Sequence, residues 1–120
     1  MGLLAYSPLG FGFLTGKYIE NQQLENTRIS LFPGFGQRYL KPNVQEAVKA
    51  YAELAKKYNL SPAQLAIAFV KSRWFVKSTI IGATNLAQLQ ENIDSVNVVL
   101  EKEIFTEIDA IHTRYPNPAP

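Results

Sequence analysis

Two short stretches carry side chains whose types and spacing suit a phosphorylated ligand with a flat ring. The first is Gly82-Ala83-Thr84-Asn85, between a β-rich run and a helix-forming segment. A helix start offers unpaired N–H groups and the positive end of the macrodipole, so it can hold a phosphate. Downstream, Gln88, Glu91 and Asn92 follow at steps of three and four, which puts them on one side of that helix. Leu86, Leu89 and Ile93, with Val96, are expected on the opposing side, facing the core. A polar strip that begins at an anion-binding terminus suits the phosphate end of a nucleotide and its purine. An ordinary solvated helix face with a capped start has the same residues, and taken alone that plainer reading is favoured.

The second stretch, LLAYSPLGFGFLTGKY over residues 3–18, runs from an apolar segment into a glycine-rich loop. Tyr6 at the segment's end offers a ring for stacking, Ser7 a hydroxyl and Lys17 a cation. Gly10, Gly12 and Gly16 would let backbone N–H groups approach a ligand closely. Arg28, further on, could fold over a pyrophosphate as a second cation. A glycine-rich turn with a surface lysine and a core tyrosine is the alternative. Neither GxGxxG nor GxxxxGK[ST] occurs. His112, the single histidine, has no carboxylate or serine at a telling spacing and is expected to be solvated. Glu101, Glu103 and Glu107 are expected to form a solvated face, and Trp74 with Phe75 to serve packing.

The chain's composition narrows the function classes. With 47% hydrophobic and 18% charged residues in 120, it has the make-up of a globular domain. A net charge of +2, with the basic residues scattered, argues against nucleic acid or a membrane surface as partner. The absence of cysteine excludes disulfides, thiolate metal sites and a cysteine nucleophile. No secretory leader or membrane-length apolar run is present, so the default expectation is a cytoplasmic location.

The elements that must position these residues follow from periodicity. Leu3–Tyr6 reads as a strand buried on both faces. Residues 19–43 read as a long loop. Val44, Ala47, Val48, Tyr51, Ala55 and Tyr58 recur at helical spacing, predicting an amphipathic helix that ends near Asn59. Ser61-Pro62 with Gln64 predicts a capping box and a well-buried helix. VKSTIIG reads as a second strand, Asn85 or Thr84 as the next cap, and about Glu101–His112 as a last helix with Ile104, Ile108 and Ile111 on one face. Residues 113–120 are expected to form an extended tail. The order βαβα implies parallel strands with right-handed crossovers. Two strands cannot cover both faces of a sheet, so the chain reads as the end of something larger, with exposed strand edges open to self-association.

Taken together, AYSPLGFGFLTGKY, SPAQLAIAFV and TIIGATNLAQLQENI resemble, in order and spacing, the carboxy-terminal part of the aldo-keto reductases. The loop at Leu31-Phe32 and the ending YPNPAP look most like the bacterial NADP(H)-dependent reductases of the Tas type. The resemblance covers essentially the whole chain. It implies an α/β fold, a (β/α)8 TIM barrel of which these residues would be about strands 7 and 8 with their helices, one partial domain over residues 1–120. It also implies NADP(H) as cofactor, a small aldehyde or ketone as substrate in the full-length family, and no metal.

Position by position, Tyr6 matches the aromatic that stacks on the nicotinamide. Ser7, Pro8, Leu9 and Gly10 match strand-end residues at the nicotinamide and phosphate half. Lys17 and Arg28 match the cations of a loop over the pyrophosphate. Gly82 and Thr84 match the turn facing the adenosine phosphate, and Gln88, Glu91 and Asn92 the residues near adenine and its ribose. Asn85 stands where many relatives carry a lysine or arginine for the 2′-phosphate. No residue matches the family's catalytic tyrosine, lysine, aspartate or histidine, so the 120 residues alone are expected to be inactive. The other readings of the chain are a non-catalytic interaction module and a truncated piece without independent function.

Overall fold

The structure is a computed structural model that describes residues 1–20, 25 and 27–120, with Arg28 described by its backbone alone. Two strands, β1 (Leu3–Tyr6) and β2 (Val76–Ile80), pair in parallel. Tyr6 lies opposite Ile80 and Ala5 opposite Thr79, with an irregularity between Leu3 and Leu4 where β2 advances two residues, from Val76 to Ser78. Both strands therefore end at the same edge of the sheet. Between them come the helices α1 (Arg28–Leu31), α2 (Pro42–Lys57) and α3 (Pro62–Lys71); α4 (Leu86–Asp94) and α5 (Lys102–Arg114) follow β2. The long loop expected over residues 19–43 thus holds α1 and a 3-10 turn at Gln37–Leu40. The last helix runs on to Arg114, so Thr113 and Arg114 are helical and the tail starts at Tyr115.

The helices begin and end for local reasons. Ser61 accepts from the Gln64 N–H at 3.1 Å while Gln64 Oε1 accepts from the Ser61 N–H at 3.0 Å, a capping box with Pro62 at the first helical position. At α4, Asn85 Oδ1 accepts from the Gln88 N–H at 2.9 Å. Lys56 and Lys57 sit in the last turn of α2, and His112 and Arg114 in that of α5, where cations complement the dipole.

The core lies among the helices, not under the sheet. Leu54 and Ala55 of α2, Leu65 and Ala68 of α3, and Leu100, Ile104 and Ile108 around α5 form one buried cluster. Phe13, Tyr18, Val44 and Val48 form a second, with Leu14, Ile19, Ile29, Tyr39 and Ala119 packed against it. Ala119 belongs to the carboxyl-terminal tail, which thus folds back against this second cluster.

Three expectations are corrected. β1 is not buried on both faces: Leu3 and Leu4 are 51% and 59% exposed, because the chain supplies no layer over them. Leu86, Leu89, Ile93 and Val96 do not face the core; all four are exposed, while Asn92 and Ser95 on the other side are buried. Amphipathicity shows that α4 has two faces, but not which one meets this chain. Here α4 turns its polar stripe inward, where the side chains find hydrogen bonds. Trp74 is not a packing residue of this chain: it is 88% exposed, with its ring centre 5.6 Å from that of Phe75 in an edge-on arrangement.

Candidate functional site

The parallel register brings the two candidate stretches together. Because Tyr6 pairs with Ile80, the loop that leaves β1 and the turn that leaves β2 emerge side by side at the carboxyl ends of the strands. Parallel α/β folds bind their ligands on this face.

From β1 the chain turns sharply. Ser7 has φ +55°, a left-handed conformation that costs a non-glycine residue on the order of 1 kcal/mol. Gly10, Gly12 and Gly16 follow at positive φ, with Phe11 at +57° between them. The glycine N–H groups are not presented to a ligand, which corrects the sequence reading. Gly10 N–H donates to Ser7 O, Gly12 N–H to Leu9 O and Gly16 N–H to Phe13 O, all at 3.0 Å. What these positions need glycine for is the left-handed backbone of a tight 3-10 coil over Gly10–Thr15. Thr15 Oγ1 closes the coil by donating to Gly12 O at 2.6 Å. A side chain at Gly12 would also displace Lys17, whose Cε lies 2.9 Å from where its Cβ would stand.

The side chains that remain available are Tyr6, exposed over most of its ring, and exposed Ser7 and Lys17; Pro8 and Leu9 are half-buried beneath them. Lys17 Nζ lies 5.0 Å from the centre of the Tyr18 ring, a cation–π placement of an exposed side chain. The side chain of Arg28 falls outside the described residues; its backbone opens α1. Phe11 joins this loop to the 3-10 turn at Gln37–Leu40 through edge contacts with Phe35 at 4.8 Å and Tyr39 at 5.5 Å.

On the β2 side, the turn is fastened by side chains of α4. Gln88 Oε1 accepts from the Thr84 N–H at 3.0 Å and from Thr84 Oγ1 at 2.9 Å, and Asn92 Nδ2 donates to Gly82 O at 3.2 Å. Glu91 is half-buried, and its backbone carbonyl accepts from Ser95 Oγ at 2.8 Å. The cap takes the Gln88 N–H, so Leu86 and Ala87 carry the first-turn N–H groups that no helical carbonyl reaches. Residues 78–101 contain no lysine or arginine, so the groups this element could offer an anion are backbone N–H groups and hydroxyls.

Gly82 stands apart from the glycines of the first loop. Its φ lies outside the left-handed region, and a Cβ built on it meets nothing within 4 Å. Neither conformation nor crowding by the described residues requires glycine there. The residues thus fit a phosphorylated dinucleotide: an open cradle at Gly82, free first-turn N–H groups, a strand-end aromatic and a lysine.

Two open grooves lie elsewhere. One, of about 340 Å³, runs between α2 and α5 past Lys57 and Glu107. The other, of about 180 Å³, runs along β2 past Ile67, Lys71, Thr79 and Asn92, the one candidate residue it includes. Glu107 lies on the solvated face expected for it and is also the acceptor of a cross-helix cluster. Lys57 Nζ donates to both its oxygens at 2.8 and 2.9 Å, and the Tyr58 hydroxyl donates to Oε1. The hydrogen bond from Lys57, then that from Tyr58, holds the Glu107 carboxyl below its ordinary value. The same bonds to Glu107 raise Lys57 and Tyr58. No local signal could have found partners some 50 residues apart. Among the described residues, no group of three His, Asp or Glu could hold a metal ion. Nor, among them, is any helix long and apolar enough to cross a membrane.

The aldo/keto reductase family model matches residues 1–113. The chain belongs to the aldo/keto reductase family. Among curated relatives, "Protein tas" of Escherichia coli (strain K12) is 47% identical over 118 residues, covering 98% of this chain and 34% of the relative. An "Aldo-keto reductase" of Babesia bovis is 35% identical over 126 residues, 98% of this chain and 43% of its own length. A "Probable voltage-gated potassium channel subunit beta" of Arabidopsis thaliana is 37% identical over 101 residues, 82% of this chain and 31% of its own. The likeness to bacterial Tas-type members is thereby confirmed. This aldo-keto reductase chain spans about a third of the length of the tas proteins it matches. The family fold is a TIM barrel; of it, the described residues contain two adjacent parallel strands and no closed barrel.

Proposed function

We propose that these residues are the nucleotide side of a nicotinamide-dependent carbonyl reductase, with β1 and β2 as the seventh and eighth strands of its barrel. The observation that carries this reading is the Tyr6–Ile80 pairing, which sets both ligand-shaped turns at one sheet edge. In this reading Tyr6 stacks on the nicotinamide, while Ser7, Pro8, Leu9 and Gly10 bound its ribose and phosphate. Lys17 and Arg28 neutralise the pyrophosphate. Gly82 and Thr84 receive the adenosine phosphate, and Gln88, Glu91 and Asn92 flank the adenine and its ribose. NADP(H), when bound, supplies the hydride for a carbonyl carbon. The chain's own residues bind and orient; none is assigned the acid that protonates the carbonyl oxygen, so the 120 residues by themselves bind cofactor without turnover.

A second reading has its own observation. Exposed Leu3, Leu4 and Ile80 on strands with open edges suit association with another chain, by which these residues would act as a non-catalytic module. Titrating the 120-residue chain with NADPH while following cofactor fluorescence, alongside a thermal melt, tests the first reading. Saturable binding with a cooperative melt, weakened in Lys17→Ala, is expected. A cooperatively melting chain that leaves NADPH fluorescence unchanged would refute the cofactor site, and carbonyl-dependent NADPH oxidation would refute the assignment of no turnover.

A further inference from the structure

We infer that the amino-terminal edge of the sheet is a docking surface for an acidic segment of a partner protein, with Arg73 receiving a carboxylate and Trp74 covering an apolar side chain beside it. This surface lies at the opposite end of the strands from the nucleotide turns, so it stands or falls independently of the cofactor reading. Trp74 and Phe75 lead into β2, and the Leu3 N–H donates to Phe75 O at 2.7 Å, which sets the start of β1 beside them. Trp74 is 88% exposed, and Leu3 and Phe75 are exposed with it. Tryptophan and arginine are the side chains that most often anchor protein interfaces.

From Lys71 to Lys77 the chain interleaves three cations, Lys71, Arg73 and Lys77, with these two rings. The cations are held in place. Lys71 Nζ donates to the Val96 and Val98 carbonyls at 2.5 and 3.2 Å. The stem of Lys77 lies across Gly2, where it would collide with any Cβ. The Arg73 guanidinium lies 4.0 Å from the centre of the Phe69 ring and 5.6 Å from that of Phe105. Stacking orients its plane and leaves its N–H donors unspent. Among the described residues the guanidinium makes no hydrogen bond or ion pair, and Glu101 and Glu103, in the turn before Phe105, do not reach it. An oriented guanidinium with unspent donors suits a carboxylate, which it can meet with two parallel bonds. Two copies of this surface would bring like charges together, which excludes it as its own partner. A membrane surface fits less well, since lipid recognition takes clusters of about 4–8 basic residues, more than this stretch holds.

Trp74 is the chain's single tryptophan, so its emission reports this surface directly. In low salt, a ten-residue glutamate-rich peptide with three leucines should shift that emission saturably to the blue in the 120-residue chain. The same peptide with glutamine for glutamate should not. By anisotropy of the labelled glutamate peptide, Arg73→Lys, which keeps the charge and loses the planar fork, should bind ~10-fold more weakly. Lys77→Gln, an exposed change, should bind ~3-fold more weakly. No shift with the glutamate peptide, an equal shift with the glutamine peptide, or full affinity in both variants overturns the inference. So does a blue shift that follows chain concentration alone, which would make a second copy the occupant, or one produced only by phosphatidylserine vesicles, which would make it a membrane. If Arg73→Lys does not melt cooperatively, Lys77→Gln decides together with salt: binding that survives ~0.5 M salt undiminished overturns the inference as well.

Discussion

Gly82→Ala should move stability and ligand binding in opposite directions. The backbone at Gly82 is outside the left-handed region, and the added methyl meets no atom of the described residues within 4 Å. Alanine fits this conformation, and it restricts the unfolded chain more than glycine does, which stabilises by about 0.4–1 kcal/mol. For a domain of this size the melting temperature should rise by ~2–5 °C. The methyl would stand in the space assigned to the adenosine phosphate. A close backbone approach forfeited there should weaken NADPH binding by at least ~10-fold, about 1.4 kcal/mol. Circular-dichroism melts and fluorescence titrations on the same samples measure both quantities. A variant that binds NADPH as wild type does would refute the assignment of that space to a ligand. A lowered melting temperature would refute the claim that nothing within the chain needs glycine there.

Tyr18 is buried with a hydroxyl that has no hydrogen-bond partner among the described residues, so Tyr18→Phe should be neutral or stabilising by ~1 kcal/mol; a urea midpoint shifted to lower concentration would contradict this. Ser61→Ala removes one arm of the α3 capping box and should cost about 0.5–2 kcal/mol by urea titration, against a smaller loss for Ser72→Ala, whose exposed hydroxyl donates only to the Phe69 carbonyl. Glu107 has its folded value lowered, so its contribution is complete above the ordinary carboxylate range and lost as pH falls through the lowered value. Lys57 and Tyr58 have theirs raised, so their contributions hold below their ordinary values and disappear as pH rises through the raised ones. Glu107→Gln should therefore flatten both ends of a melting-temperature profile against pH, most visibly at low salt. Parallel profiles for wild type and variant would count against the cluster. Replacing Leu86 and Ile93 together by glutamine should leave the melt within a few degrees, since both are exposed, and should reduce any self-association seen by light scattering.

Much of this molecule is legible from one end of the chain to the other because the relevant interactions are short in sequence. The capping box at Ser61 and Gln64, the Asn85 cap and the helical spacing of Val44, Ala47, Val48 and Ala55 each involve residues within a turn or two. Those elements formed as their residue types require. The resemblance of the two loops to a nicotinamide-binding family was also readable, since AYSPLG and GATNLAQLQEN are contiguous. What the loops' backbones do was less so. The glycines of the first loop could be seen to favour unusual φ, but that their N–H groups bond back to Ser7, Leu9 and Phe13 depends on how the coil closes.

By itself the sequence determined the two strands and the four longer helices, their order, the parallel crossover and the family, but not α1 or the 3-10 turn at Gln37–Leu40. The tertiary structure alone decided direction and partnership. It set Tyr6 against Ile80, so that two loops some 70 residues apart open on one edge. It turned the polar side of α4 inward and left Leu86, Leu89 and Ile93 outside, and it joined Lys57 and Tyr58 to Glu107. The physical reason is the same in each case. Periodicity and capping act over one or two turns of chain, whereas the face a helix buries is chosen by whichever surfaces the remaining elements bring to it.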